Sequence, residues 1–262
     1  MISTSQYNQL DKNGYTIIRK LIDSNWVHVL LNEISSAFLQ HKEIQKKYNN
    51  EIKTDGVALH VLLHNSIFVD FLQCLIDNGF IKSIETNFFN SNCILNSFSA
   101  LNNIPNQLNF SALIHRDLRF YSGTYPMMLN CLLMLDEFTI ENGGTYLLPG
   151  SHLIKNKPSD AYFFENAIQI TGNPGDLLIF NSNVWHSAAP NKTNTNRRAI
   201  PFTISKSFMK QLLDYPRALG YDKMDTYNTK MQQLLGYHSR VPASLEEWYQ
   251  PVESRFYKKG QD

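Results

Sequence analysis

Apolar residues recur at helical spacing through NWVHVLLNEISSAFLQHKEIQKK, where Trp26, Val29, Leu30, Ile34 and Phe38 share one face. Asp23 or Ser24 is placed to cap that helix. A short strand, GYTIIRKL, is predicted before it, and SIFVDFLQCLI predicts a second amphipathic helix after it. From about residue 93 the period shortens. CILNSFSA, YPMMLNCLLML, GTYLLPG, AIQIT, DLLIFNS and RRAIPFTIS read as strands, separated by turns such as ENGG and GNPGD. Short strands at this spacing suggest a jelly-roll or a related double-sheet barrel. Beyond Phe208 the helical texture returns, best in DKMDTYNTKMQQLLG. The pattern predicts one domain over 1–262: a helical part to about residue 90, a β-core over about 91–206, and a helical or irregular tail over 207–262.

Composition narrows the class without naming a function. A hydrophobic fraction of 43% and an aromatic fraction of 12% supply a proper core for 262 residues. The net charge of +1, with Lys and Arg scattered, argues against a nucleic-acid face or a polybasic membrane anchor. The start, MISTSQYNQLDKNG, has no signal-peptide pattern, and the densest apolar run, MMLNCLLML, is too short to span a bilayer. A cytoplasmic location is expected, with Cys74, Cys93 and Cys131 as free thiols.

The chemistry enters at ALIHRDLRFYSG, residues 112–123. His-Arg-Asp-Leu opens a protein-kinase catalytic loop, but that loop needs Asn five residues after the Asp, where this chain has Ser122. No glycine-rich phosphate loop precedes it and no Asp-Phe-Gly follows. The alternative is a metal pair. Residues two apart on a strand project to one face, so His115 and Asp117 can converge on one ion. A third ligand then comes from a distant strand. His186, in GDLLIFNSNVWHSAAP, is preferred, and His152 in PGSH is its rival. His60, His64 and His238 lack partners at ligand spacing and read as structural or exposed. Two His and one carboxylate with the opposite positions open form the facial triad of non-haem Fe(II) oxygenases, which leaves room for a co-substrate and dioxygen. Such enzymes also need a cation for the far carboxylate of 2-oxoglutarate, a task suited to the planar fork of Arg. Arg197 and Arg198 follow His186 by eleven and twelve residues. Neighbours on a strand face opposite ways, so only one of them points inward.

With HRDL, ENGGTYLLPGSH, GNPGDLLIFNSNVWH and NKTNTNRRAI in this order, the chain resembles the phytanoyl-CoA dioxygenase (PhyH) family of Fe(II)/2-oxoglutarate oxygenases. The likeness covers about residues 90–206 and, more loosely, LDKNGYTIIRKLI. It implies a mainly β fold with helical flanks around a double-stranded β-helix (jelly-roll, cupin-like) core. It implies iron on His115, Asp117 and His186, the co-substrate carboxylate on Arg197, and Asn130 and Thr145 near the co-substrate. Some members carry Trp near positions 130–132, which this chain lacks. The implied reaction consumes dioxygen, converts 2-oxoglutarate to succinate and CO₂, and hydroxylates an unactivated C–H bond of a small metabolite. Desaturation, epimerisation or ring formation are sibling outcomes, and a non-catalytic β-barrel binding protein is the alternative of another class. Related halogenases carry a small residue where Asp117 stands, so no halogen transfer is expected. Phe120, Tyr121 and Trp185 either line the substrate pocket or belong to the core. LNFSALI and the tail are candidates for a lid. Asp136, Glu137 and Glu141 read as a solvated turn.

Overall fold

In the computed structural model, residues 2–49, 56–107 and 112–261 are described. The first helix, α1 (Thr4–Asn13), starts in a capping box: the Ser3 hydroxyl accepts from the Gln6 amide, and the Gln6 side chain returns to the Ser3 N–H. It stops at Gly14, whose φ of 80° is a left-handed conformation that a Cβ disfavours. Strand β1 (Tyr15–Ile18) follows, as the sequence predicts. Helix α2 (Ser24–Lys47) is capped by Asp23, whose carboxylate accepts from Trp26 N at 3.0 Å. Its buried stripe is Val27, Leu30, Ile34 and Ala37. Trp26, Leu31 and Phe38 pack at its margin, while Val29, expected on the buried face, is exposed.

After β2 (Val57–Ala58), Asn65 caps α3 (Ser66–Asp77), and α4 (Phe80–Ile84) continues into a π-turn over Glu85–Phe89. The predicted CILNSFSA strand then appears as β3 (Cys93–Phe98), followed by a β4 (Ala100–Asn103) that the pattern did not mark, and YPMMLNCLLML appears as β5 (Met128–Met134). Next come β6 (Tyr146–Leu147), a short helix α5 (Asp160–Asn166) and β7 (Ile168–Gln169). The core closes with β8 (Leu177–Asn181), β9 (His186–Ser187) and β10 (Arg197–Lys206). In the tail, α6 (Tyr215–Leu219), α7 (Thr229–Leu235) and α8 (Leu245–Trp248) are short. The helix expected over 222–236 is broken in two. Asn228 turns its side-chain oxygen onto Met231 N and starts α7 afresh after a 3₁₀ turn over Tyr221–Thr226.

Two antiparallel sheets form the core. The larger runs β1-β8-β5-β10-β4-β2, with β3 also on β10, and the smaller runs β7-β6-β9. Strand β10 carries Pro201 in its centre, where a missing N–H would break a ladder. The fold accommodates it at the point where β10 changes partner, from β4 at Arg197–Ala199 to β3 at Phe202–Lys206.

Alternation gives the large sheet two apolar faces. Leu129, Cys131 and Leu133 of β5, Leu177 and Ile179 of β8, and Ile200 and Phe202 of β10 face the helices. There Phe68 and Phe71 of α3 meet Phe98 and Phe202, with ring centroids 5.8–6.4 Å apart. Truncating one of these residues, as in Leu133→Ala, would cost about 2–5 kcal/mol. Leu132, Met134, Leu178, Phe180 and Ala199 face the small sheet and meet Leu147, Ile170 and Val184. The inside of this sandwich is where the chemical residues gather. Among the described residues no helix is long and apolar enough to cross a membrane. Residues 108–111 of LNFSALI lie outside the described residues.

Candidate active site

His186 opens β9, directly opposite Leu147 of β6, and so points into the sandwich, where its ring centroid lies 4.9 Å from that of Phe180. On its other side it meets His115 in an isolated antiparallel bridge: His115 N donates to His186 O at 3.0 Å, and His186 N to His115 O at 2.9 Å. His115 is therefore held by one bridge, not by the regular strand its spacing suggests. Past it the chain bends, and the N–H groups of Asp117 and Leu118 both donate to Ser182 O.

The three expected ligands converge. His115 Nε2 lies 3.6 Å from Asp117 Oδ1 and His186 Nε2 3.8 Å from Asp117 Oδ2. One ligand atom from each falls within 4.8 Å of the others. Both imidazoles are oriented in the same way. His115 Nδ1 donates to Leu113 O at 2.7 Å and His186 Nδ1 to Val184 O at 3.0 Å. Each carbonyl fixes the tautomer that leaves Nε2 with its lone pair toward the site. Burial, with the neighbouring His115, holds His186 below its ordinary value of 6.5 despite the opposing pull of Asp117. It is thus neutral at pH 7, as a metal ligand must be. The His115 and Asp117 side chains stay about one-third exposed, so the group opens to one side. Such a donor set suits an ion with vacant positions.

Asn130, on the inner face of β5, donates from Nδ2 to Asp117 Oδ2 at 2.6 Å, while its own Oδ1 is buried without a donor among the described residues. Thr145 is half-buried, and its carbonyl accepts from Ile170 N, extending the β6–β7 ladder. It stands two residues from Gly143, whose carbonyl accepts from Arg197 Nη2 at 3.1 Å.

The adjacent arginines have opposite fates. Arg198 faces outward and chelates Asp136 through Nε and Nη2, both at 2.8 Å. Arg197 shares the inner face with Ala199 and is 1% exposed. Its guanidinium carbon sits 4.2 Å from the Phe138 ring centroid. Its Nε and Nη1 are buried with no acceptor among the described residues. Burial pushes its pKa down to about 10, so it remains a cation at neutral pH. A buried cation with unsatisfied donors calls for an anion. The carboxylate of a 2-oxo acid fits that need.

His152 is elsewhere. Its Nε2 donates to Asp11 O at 2.9 Å, and its ring packs against the turn at Gly14. Next to it, the Ser151 hydroxyl accepts from Trp185 N and donates to Leu148 O, bracing β9. His60, His64 and His238 bond to Tyr215, Ser36 and Gln232 respectively.

A family model, phytanoyl-CoA dioxygenase (PhyH), matches residues 10–199. The chain belongs to the PhyH family. An uncharacterised Mycobacterium tuberculosis protein, Rv1501, is 38% identical over 152 residues, covering 58% of this chain and 56% of its own length. The chain thus spans just over half the length of its mycobacterial relatives. Dioxygenase andF of Emericella variicolor is 26% identical over 244 residues, covering 88% of this chain and 83% of its own. The solved structure of the non-haem α-ketoglutarate-dependent epimerase SnoN from nogalamycin biosynthesis superposes with a TM-score of 0.59 at 17% identity. It covers 77% of this chain and 82% of that one, which is a likeness of fold.

In this PhyH-family protein, sequence spacing alone does not reveal the Gly143 carbonyl, the Phe138 ring or the Ser151 hydroxyl as parts of the site's frame. Gly143 lies in the ENGG turn and Phe138 just before it, but only the folded chain brings them to Arg197. Trp185 and Tyr121 pack against the Arg116 guanidinium, and Phe120 is exposed.

Proposed function

We propose that this protein is an Fe(II)/2-oxoglutarate-dependent dioxygenase with a single oxygenase domain. In this reading it hydroxylates an unactivated C–H bond of a small metabolite. The observation that carries the reading is the convergence of two oriented imidazole Nε2 atoms and one carboxylate on an open face, inside a sandwich that also buries Arg197. His115, Asp117 and His186 would hold the iron, and Arg197 the distal carboxylate of 2-oxoglutarate. When bound, the metal and co-substrate supply an oxidant for dioxygen-dependent C–H chemistry. The chain's own part is placement. The Leu113 and Val184 carbonyls aim the imidazoles, and Asn130 and the Ser182 carbonyl fix the Asp117 loop. Leu132, Leu178 and Phe180 keep the interior apolar, which strengthens every charge interaction within it. The net charge of +1 supports a small-molecule substrate over nucleic acid, and the chain's composition supports a cytoplasmic location.

The test is succinate release from 2-oxoglutarate by the purified protein with Fe(II) and air, followed by product masses across a metabolite screen. A product heavier by one oxygen supports hydroxylation. A product lighter by two hydrogens assigns the site to desaturation or ring closure, and an unchanged mass with inverted stereochemistry assigns it to epimerisation. No succinate under any condition would make the protein a binding barrel.

A further inference from the structure

The two segments that bear the histidines form a ribbon with two faces. His115 and His186 are paired directly, and antiparallel order sets Arg116 beside Trp185. Alternation turns that pair away from the metal side. There the Arg116 guanidinium carbon lies 4.9 Å from the Trp185 ring centroid and 5.7 Å from that of Tyr121. Trp185 is fixed in turn: it is 7% exposed, it packs with Ile114, Leu148 and Phe163, and its indole N–H donates to Ile154 O at 3.4 Å. The Tyr121 hydroxyl donates to Leu153 O at 3.0 Å, closing the other side.

Resting on the reading of His115, Asp117 and His186 as metal ligands, we propose that Arg116 and Trp185 are positioning residues for the metal, clamping the ribbon from behind. Regular backbone pairing is sparse here: one bridge at His115, two residues in β9, and single bonds from Leu148 N to Trp185 O and from Asp117 N and Leu118 N to Ser182 O. Directly opposed side chains supply what is missing, and a planar guanidinium on an indole face is a directional contact. A shift of Trp185 would carry Val184 O and His186 with it, turning Nε2 away from its partners.

The probe is Co(II), whose visible bands report coordination geometry, titrated into the full chain. Arg116→Met and Trp185→Leu are expected to weaken Co(II) binding by about tenfold or more and to alter the bands. The double variant should be no weaker than the worse single one. Trp185→Phe, which keeps an aromatic face, should recover most of the affinity. Arg116→Lys, which keeps charge without the plane, should recover part of it, and these two conservative variants carry the test if the others do not fold. Wild-type Co(II) affinity and bands in Arg116→Met and Arg116→Lys, or additive effects in the double variant, overturn the positioning role alone. Absence of His186-dependent Co(II) binding in the unmodified protein overturns both this role and the reading beneath it.

Discussion

Asn130, from the centre of β5, donates its side-chain N–H to Asp117 Oδ2 at 2.6 Å and so anchors a loop carboxylate to the rigid floor of the sheet. In the proposed reading, Oδ1 would take the metal. The partner lies thirteen residues away in sequence, across a loop that carries no strand. Replacing the amide by an isosteric apolar group, Asn130→Leu, removes the anchor while filling the same space. Metal affinity should fall by about tenfold to a hundredfold, read by Mn(II) titration. An unchanged affinity would mean that the Ser182 carbonyl holds the Asp117 loop alone.

Arg197 and Arg198 should separate cleanly. Arg197→Met is expected to raise the 2-oxoglutarate requirement by tenfold or more, the effect of losing a charge-assisted contact of about 1.5–3 kcal/mol. Arg198→Met should leave that requirement nearly unchanged and lower stability by about 1 kcal/mol, because it strips Asp136 of a partly exposed partner. Co-substrate titrations and thermal melts distinguish the two. Equal effects on the requirement would remove Arg197 from its role.

His186→Ala should abolish metal binding, whereas His152→Gln should retain it, because Gln can still donate to Asp11 O. The second variant also tests a pH effect. Burial holds His152 below its ordinary value of 6.5, so in the fold it stays neutral while the unfolded chain takes up a proton. The unfolded state then binds more protons, and stability falls as pH drops below about 6.5. His41, His60 and His238, also lowered by burial, act with the same sign. Denaturant melts between pH 8 and 5 should show a shallower loss for His152→Gln than for the unmodified protein, with an identical slope counting against His152.

Asp117 bears on the outcome as well as on binding. As the proposed metal ligand, its carboxylate would take the place a halide needs, so the unmodified protein should give no halogenated product even in high chloride. Asp117→Gly should weaken metal binding and abolish hydroxylation, and it need not produce a halogenase. Product mass spectra with a turned-over substrate decide this, and a chlorinated main product from the unmodified protein would falsify it.

Elements whose cause is local were legible in the chain. Asp23 announces α2 because its carboxylate meets an N–H three residues on, and the strands from Cys93 to Ser205 announce themselves by apolar runs between turn residues. The structure also brings His115, Asp117 and His186 together, as their donor types and order in the chain suggest, and their role as ligands is the proposal made above. Facing was not legible. Sequence allows either Arg197 or Arg198 to point inward, and the β4–β10–β5 ladders decide it by placing Arg197 with Ala199 inside and pairing Arg198 with Asp136 outside. In the same way His152, as good a metal-binding side chain as His186, is drawn to the end of α1 by Asp11 O. A residue's chemistry travels with its identity, but its partners depend on contacts between distant segments. Those contacts exist only once the sheets have closed on each other.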